Sequence, residues 1–208
     1  ERLLVIGGGY IGLELGQAYA ALGSKVTLVE MLDGLLPGVD RDLVQPLARR
    51  CERLFVKIRL GTKVASLRTQ GGVVEARFSD GDLVAVGRRP VSAGLGLETP
   101  RVRPDARGVI AVDDQCRTAD PAIYAVGDVT GAPMLAHRAM RQGVVTAEAI
   151  AGRPAAFDNV AVPAVVFTDP EVAWCGLTER EAERAKRAVK VAKFQWAASG
   201  RAATLGRA

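Results

Sequence analysis

The stretch Leu3-Leu4-Val5-Ile6-Gly7-Gly8-Gly9-Tyr10-Ile11-Gly12-Leu13-Glu14 decides how this chain folds. Four apolar residues run into three glycines, after which apolar residues return at helical spacing, at Ile11, Leu15, Ala18 and Leu22. The pattern predicts a strand, a tight turn and a helix. Gly23 stands where a left-handed helix C-cap belongs, and residues 25–30 alternate as a second strand. Together they make a βαβ unit, which requires a parallel sheet. The spacing Gly7-x-Gly9-x-x-Gly12 suits a tight turn, close backbone approach to a pyrophosphate and close packing of helix on strand. The helix N-terminus offers unpaired N–H groups to phosphates.

A glycine-rich turn alone need only turn the chain, but here a strand, a helix and an acid at the end of the second strand coincide. Glu30 follows Gly12 by 18 residues, near the spacing of about 20 at which an acid accepts hydrogen bonds from an adenosine ribose. A carboxylate there repels a 2′-phosphate, and the next residue is Met31 rather than an arginine, so NAD is favoured over NADP. The alternative is a solvated acid at a strand end.

Outward from this unit, Leu36-Pro37-Gly38 reads as a turn, and Asp40 as the cap of a helix running to about Arg53, kinked or delayed by Pro46. Residues 58–60, 64–69, 73–79 and 83–86 read as short strands of a small antiparallel layer, with turns at Gly71-Gly72 and Asp80-Gly81. After a Gly- and Pro-rich loop over 87–108, strands are expected at 109–112 and 123–126. A helix over 135–151 is closed by Gly152 and Pro154, where a domain boundary falls. Beyond it come a strand at 165–167, a Thr178-x-x-Glu181 capping box opening a charged helix, and an apolar strand at 189–194.

The 208 residues, 49% hydrophobic and 25% charged, suffice for one large or two small packed domains. No apolar run approaches the roughly 18 to 20 residues of a membrane span, so no membrane partner is expected. Glu1-Arg2 lead straight into the first strand without an initiator Met or signal peptide, as if cut from a longer polypeptide. Cys51, Cys116 and Cys175 form neither a C-x-x-C pair nor a disulfide framework, which suits a reducing cytoplasm and buried bystander thiols. The net charge of +5 is dispersed, with basic runs no longer than pairs such as Arg49-Arg50 and Arg88-Arg89 and no interleaved aromatics, so nucleic acid is not an expected partner.

Four further features carry chemistry. Glu14 falls one turn into an apolar helix, either as a favourable charge on the helix dipole or facing a nicotinamide whose carboxamide donates to it. Asp128 follows Ile123-Tyr124-Ala125-Val126-Gly127 and projects from the carboxyl end of an expected strand, where ligands of open α/β sheets lie. Met134-Leu135-Ala136-His137 opens the long helix, whose dipole favours negative charge on a ligand. His137, the sole histidine, acts through its backbone or its imidazole, and no metal role is assigned because no second histidine or cysteine stands near it.

These motifs, together with Leu83-Val84-Ala85-Val86-Gly87-Arg88-Arg89-Pro90, residues 118–128, Pro170-Glu171-Val172-Ala173-Trp174 and Trp196-Ala197-Ala198-Ser199-Gly200-Arg201, resemble the flavin-dependent disulfide reductases over nearly the whole chain. Within that family the likeness is to the branch that oxidises dihydrolipoamide. The resemblance implies an α/β fold: a Rossmann-like NAD-binding domain with an antiparallel β layer at 1–90, the C-terminal half of an FAD-binding domain at 91–153, and the start of an α+β dimerisation domain at 154–208. It implies FAD and NAD as cofactors, a homodimer, and the lipoyl domain of a 2-oxo acid dehydrogenase acyltransferase as partner.

Residue by residue, the resemblance gives NAD to Gly7, Gly8, Gly9, Tyr10, Ile11, Gly12, Leu13 and Glu14, with Glu30 on the ribose and Val64 and Gly87 lining the adenine and nicotinamide sides. Tyr10 is either a lid over the flavin or a half-buried helix residue. Asp128 would hold the ribityl chain of FAD, and the backbone of Met134, Leu135, Ala136 and His137 would meet the flavin end. The redox-active Cys-x4-Cys pair would precede Glu1 and the catalytic His and Glu would follow Ala208, leaving no catalytic residue in this stretch. Departures are a shortened hairpin between Asp80 and Leu83, Arg138 and Gln142 in place of Lys and Glu, and Cys175 in place of a small aliphatic. Related readings are a glutathione or mercuric reductase, a transhydrogenase, or a non-catalytic NAD-binding assembly module.

Overall fold

Strand β1 (Arg2–Ile6) runs through the glycine turn into helix α1 (Tyr10–Ala21), and β2 (Lys25–Val29) returns in parallel, from Arg2 opposite Lys25 to Ile6 opposite Val29. The computed structural model describes residues 1–70, 73–79, 90–97 and 101–206. The Gly71-Gly72 turn, the expected strand at 83–86, the shortened loop from Asp80 to Leu83, and Gly87 lie outside the described residues.

The βαβ unit forms as expected, but α1 buries a different face from the one its apolar spacing suggests. Ile11, Leu15 and Leu22 are 53%, 52% and 82% exposed, whereas Leu13, Gly16 and Gln17 are buried. Small residues set this orientation. A Cβ on Gly12 would stand 2.0 Å from the Gly7 carbonyl oxygen, and one on Gly16 would stand 2.9 Å from the Phe55 ring. The helix therefore lies close on the sheet through Gly12 and on Phe55 through Gly16, with Leu13 in the core and Ile11, Leu15 and Leu22 pointing away.

Helix α2 (Arg41–Leu54) packs Val44, Leu47 and Cys51 onto the same core at helical spacing. Pro46 neither delays nor ends it, because the proline sits on the exposed face, where water can satisfy the carbonyl it leaves unbonded. Asp40 is the N-cap residue of α2, but its side chain does not cap that helix. It accepts hydrogen bonds from Glu179 N (3.0 Å) and Arg180 N (3.4 Å), at the start of a different helix.

Strand β3 (Lys57–Arg59), expected in the antiparallel layer, is instead the third parallel strand beside β2. The antiparallel hairpin is β4 (Lys63–Gln70) with β5 (Val73–Ser79), bulged between Val64 and Ser66. Arg59 lies 4.9 Å over the Phe78 ring, tying hairpin to sheet.

Residues 101–135 hold a small core of Val102, Ile110 and Ala125. The strands expected at 109–112 and 123–126 do not form. Among the described residues the region has one isolated bridge, Arg117 to Tyr124, and scattered backbone bonds such as Ile110 N to Val129 O and Ala125 N to Cys116 O, with no neighbouring strand to complete a ladder. Aspartate turns shape it instead: Asp105 Oδ1 accepts from Arg107 and Val109, and Asp113 Oδ1 from Gln115 and Arg117.

Helix α3 (Ala136–Ile150) ends at Gly152, with φ +72°. The antiparallel pair β6 (Ala164–Val166) and β7 (Val172–Trp174) contributes Val166 and Val172 to the core of the N-terminal βαβ unit. Helix α4 (Glu179–Arg184) has both reciprocal bonds of the capping box. The strand expected at 189–194 is absent: Val189, Val191 and Phe194 are exposed and no strand among the described residues lies alongside. A short helix α5 (Gly200–Thr204), capped by Ser199, follows. Cys51 and Cys116 are buried, but Cys175, expected to be buried too, is exposed because β7 ends just before it. No helix among the described residues is long and apolar enough to cross a membrane.

Lys193 ties the exposed stretch before α5 to α2 and α4, reaching Asp42 at 2.6 Å and Glu179 at 3.7 Å. The Lys193 ammonium holds the Asp42 carboxyl below its ordinary 3.8, so this contribution is present above pH 3.8 and fades as pH falls through the folded value. Asp42 raises Lys193 above 10.5, so the contribution is complete below pH 10.5 and fades as pH climbs through the folded value. Both groups are exposed and screened by salt. At neutral pH, proteolytic nicking after residue 186 should quicken between low salt and about 1 M salt, and Lys193→Met should show the fast rate throughout. A salt-independent rate would disprove the tie.

Candidate nucleotide site

The glycine turn is pinned from both sides. Gly7, at φ +104°, donates its N–H to Val29 O (2.8 Å), and Leu36 N donates to Gly8 O (2.9 Å). Gly9 is the N-cap of α1 and offers no side-chain cap, and the first helical bond runs from Leu13 N to Gly9 O. A Cβ on Gly9 would meet no protein atom within 4 Å. The three glycines thus differ: Gly12 is required by the protein's own backbone, Gly7 by its dihedral angle, and Gly9 faces open space at a helix N-terminus. An uncapped N-terminus beside open space is where a phosphate fits.

Glu30 comes directly to this turn. It is 7% exposed, its Oε2 accepts from Gly8 N (2.5 Å) and its Oε1 from Leu32 N (2.8 Å). Its own backbone is bonded to Arg59 O and Thr62 N. Each carboxylate oxygen keeps a second lone pair for a hydroxyl donor. It is therefore no solvated acid at a strand end. Val64, half-buried, enters β4 two residues beyond Thr62, which bonds Glu30.

The turn after Glu30 depends on Arg41, which sequence reasoning did not single out. Its guanidinium donates to the carbonyls of Leu35 (2.9 Å), Leu36 (2.7 Å) and Val39 (2.8 Å). A side chain on Gly34 would collide with it, at 2.6 Å. Nothing in the local sequence signals this role.

The face of α1 carrying Tyr10, Glu14 and Gln17 receives the segment around β6 and β7. The Tyr10 and Trp174 rings stand 6.0 Å apart. Glu14 Oε1 accepts from Phe167 N (2.9 Å), so it is more than a charge on the helix dipole, and its second oxygen has no partner among the described residues. Ile11 is exposed and Leu13 fully buried, so Leu13 serves the core rather than a cleft. Gln17 was missed in the sequence, although a polar residue one turn beyond Glu14 on the same helix was a usable signal. Burial pushes the Cys51 thiol up, and Gln17 Nε2 donates to its sulfur at 3.4 Å, so Cys51 is an inert packing group.

The second cluster lies around α3. Gly127 is buried at φ +78° and donates to Gln142 Oε1 (2.9 Å), which also lies near Thr130. Arg138 donates to Gly131 O (2.8 Å) and Thr130 Oγ1 (3.1 Å). The two departures from the family pattern thus form one buried network under Gly127. It leaves Asp128 exposed, its carboxylate unpartnered among the described residues. Leu135 caps α3 without a side-chain bond, Met134 and Ala136 flank it, and the His137 imidazole lies 2.7 Å from Pro163 O. That contact engages the ring and leaves the helix's first N–H groups to act through the backbone. Among the described residues, no cluster of three or more His, Cys, Asp or Glu could hold a metal.

Residues 1–143 match the family profile described as pyridine nucleotide-disulphide oxidoreductase, and residues 162–208 match that family's dimerisation domain. The dihydrolipoyl dehydrogenase of Thermus scotoductus is 49% identical, over 99% of this chain and 47% of its own length. That of Pseudomonas aeruginosa is 48% identical, over 99% of this chain and 46% of its own. The HOCl-induced flavoprotein disulfide reductase RclA of Escherichia coli superposes with a TM-score of 0.85 at 30% identity, covering 98% of this chain and 49% of that one. The chain spans about half the length of the curated relatives it matches.

Proposed function

Because the chain belongs to the pyridine nucleotide-disulphide oxidoreductase family, we propose that it supplies the NAD site and part of the FAD site of a dihydrolipoamide dehydrogenase. The observation that carries this is the uncapped glycine turn with open space at Gly9 and a buried Glu30 against Gly8. NAD fits this chain's residues: Gly9 admits the pyrophosphate to the start of α1, Glu30 accepts from the ribose, and Glu14 offers an oxygen to a carboxamide. Val64 and Gly87 are assigned to the two ends of the nucleotide. Tyr10, its ring 6.0 Å from that of Trp174, opens α1 directly after the glycine turn.

FAD fits the second cluster through Asp128 and the backbone from Met134 to His137. Bound together, the two cofactors supply hydride transfer between flavin and nicotinamide. This chain's residues bind and orient, and none serves as an acid or base. The domains are taken as 1–90, 91–153 and 154–208, the last forming a homodimer contact. The reductant is the dihydrolipoamide of an acyltransferase lipoyl domain, in a reducing cytoplasm.

The test is a steady-state assay of the full-length flavoprotein with dihydrolipoamide and NAD. NAD-dependent oxidation is expected. A preference for NADPH with glutathione disulfide would replace this reading with a glutathione reductase, and stable protein without flavin would reduce it to a binding module. Asp128→Ala separates the FAD assignment from folding. With no partner lost, stability should change by less than about 0.5 kcal/mol, while the flavin-to-protein ratio falls. An unchanged ratio would remove Asp128 from the site.

A further inference from the structure

Gln17 grips the backbone of Asp169 from both sides. Asp169 N donates to Gln17 Oε1 (2.7 Å), and Gln17 Nε2 donates to Asp169 O (3.1 Å). Arg50, from α2, holds the Asp169 carboxylate at 3.2 Å. Two residues earlier in the chain, Phe167 N donates to Glu14 Oε1, and Glu14 stands on α1 one turn before Gln17. A glutamate left to itself samples many rotamers, and a donor that fixes one oxygen also fixes where the other points.

We propose that Gln17 is a positioning residue for the nicotinamide end of the nucleotide: by seating Asp169 it places the Phe167 amide, and that amide orients the Glu14 carboxylate toward an incoming carboxamide. The inference rests on the nucleotide site proposed above. It makes the strand pair β6–β7 part of that site, although 153 residues separate Glu14 from Phe167. The adenosine and pyrophosphate end, at Glu30 and the glycine turn, uses none of these contacts. Loss of Gln17 should therefore be felt by one half of the dinucleotide only.

The experiment is a calorimetric titration of the full-length flavoprotein with NADH and, separately, with ADP-ribose, which lacks the nicotinamide. Gln17→Met, of similar volume but without the amide, should weaken NADH by about tenfold or more, the range of one hydrogen bond to a charged group. ADP-ribose affinity should stay as in the wild type. Unchanged NADH affinity, or equal weakening of both ligands, would overturn the positioning role while leaving the nucleotide site standing. Wild-type protein that binds neither ligand would overturn the site itself, and the inference with it. Should Gln17→Met not fold, Gln17→Glu, which keeps the acceptor for Asp169 N but loses the donor to Asp169 O, is expected to weaken NADH in the same direction by a smaller factor, with ADP-ribose unchanged. If neither folds, Gln17 is a core residue and the inference fails.

Discussion

Gly12→Ala is expected to unseat α1 and abolish nucleotide binding together. The new Cβ would lie 2.0 Å from the Gly7 carbonyl oxygen and 3.2 Å from both Gly7 C and Val5 Cγ1. The nearest obstacle is backbone, held in turn by the bond from Gly7 N to Val29 O, so no side-chain rotation relieves the clash. Overpacking of this kind costs about 3 kcal/mol or more, which for a chain of this size lowers the melting temperature by on the order of 10 °C. Gly9→Ala is the informative partner. Its Cβ meets nothing within 4 Å, and φ −84° suits any residue. Stability should fall by no more than about 1 kcal/mol, the difference between glycine and alanine at an N-cap. Yet NADH should bind about tenfold to a hundredfold more weakly, because the methyl stands where phosphate must meet the helix N–H groups. Thermal melts and NADH titrations of both variants check this. A Gly9→Ala protein that binds NADH normally would show that the turn is only a turn.

The second large effect is expected at Glu30. Glu30→Ala strands the buried Gly8 N–H and removes the partner of the part-buried Leu32 N–H. A buried donor left without a partner costs about 1–3 kcal/mol, which falls on Gly8 and loosens the glycine turn, while the Leu32 N–H, nearer solvent, adds less. Glu30→Gln should be nearly as harmful, because its amide nitrogen would face one of the same donors. In either variant NADH affinity should drop, and the ratio of NADPH to NADH affinity should rise once the charge that repels a 2′-phosphate is gone. Melting curves that coincide with the wild type would mean that water replaces the carboxylate and that Glu30 is dispensable to the turn.

Much of the site was readable because it is local. Gly7 and Gly12 answer backbone demands within one turn, Gly23 and Gly152 close helices at positive φ, and Thr178 with Glu181 caps across three residues. Glu30 was found by spacing because a strand–helix–strand crossover has a nearly fixed length. The apolar spacing of α1 misled because close approach through Gly12 and Gly16, rather than hydrophobic size, chose its buried face.

By itself the sequence determined the βαβ unit, its glycine turn, the acid beside it, the β4–β5 hairpin and the capped start of α4. Only the tertiary structure decided that β3 joins the parallel sheet, that Asp40 caps α4 rather than α2, and that residues 189–194 stay out of any strand. It alone placed Phe167 and Asp169 on Glu14 and Gln17. The physical reason is range: turns, caps and periodicity are fixed by neighbours a few residues away, whereas these contacts join segments that only folding brings together.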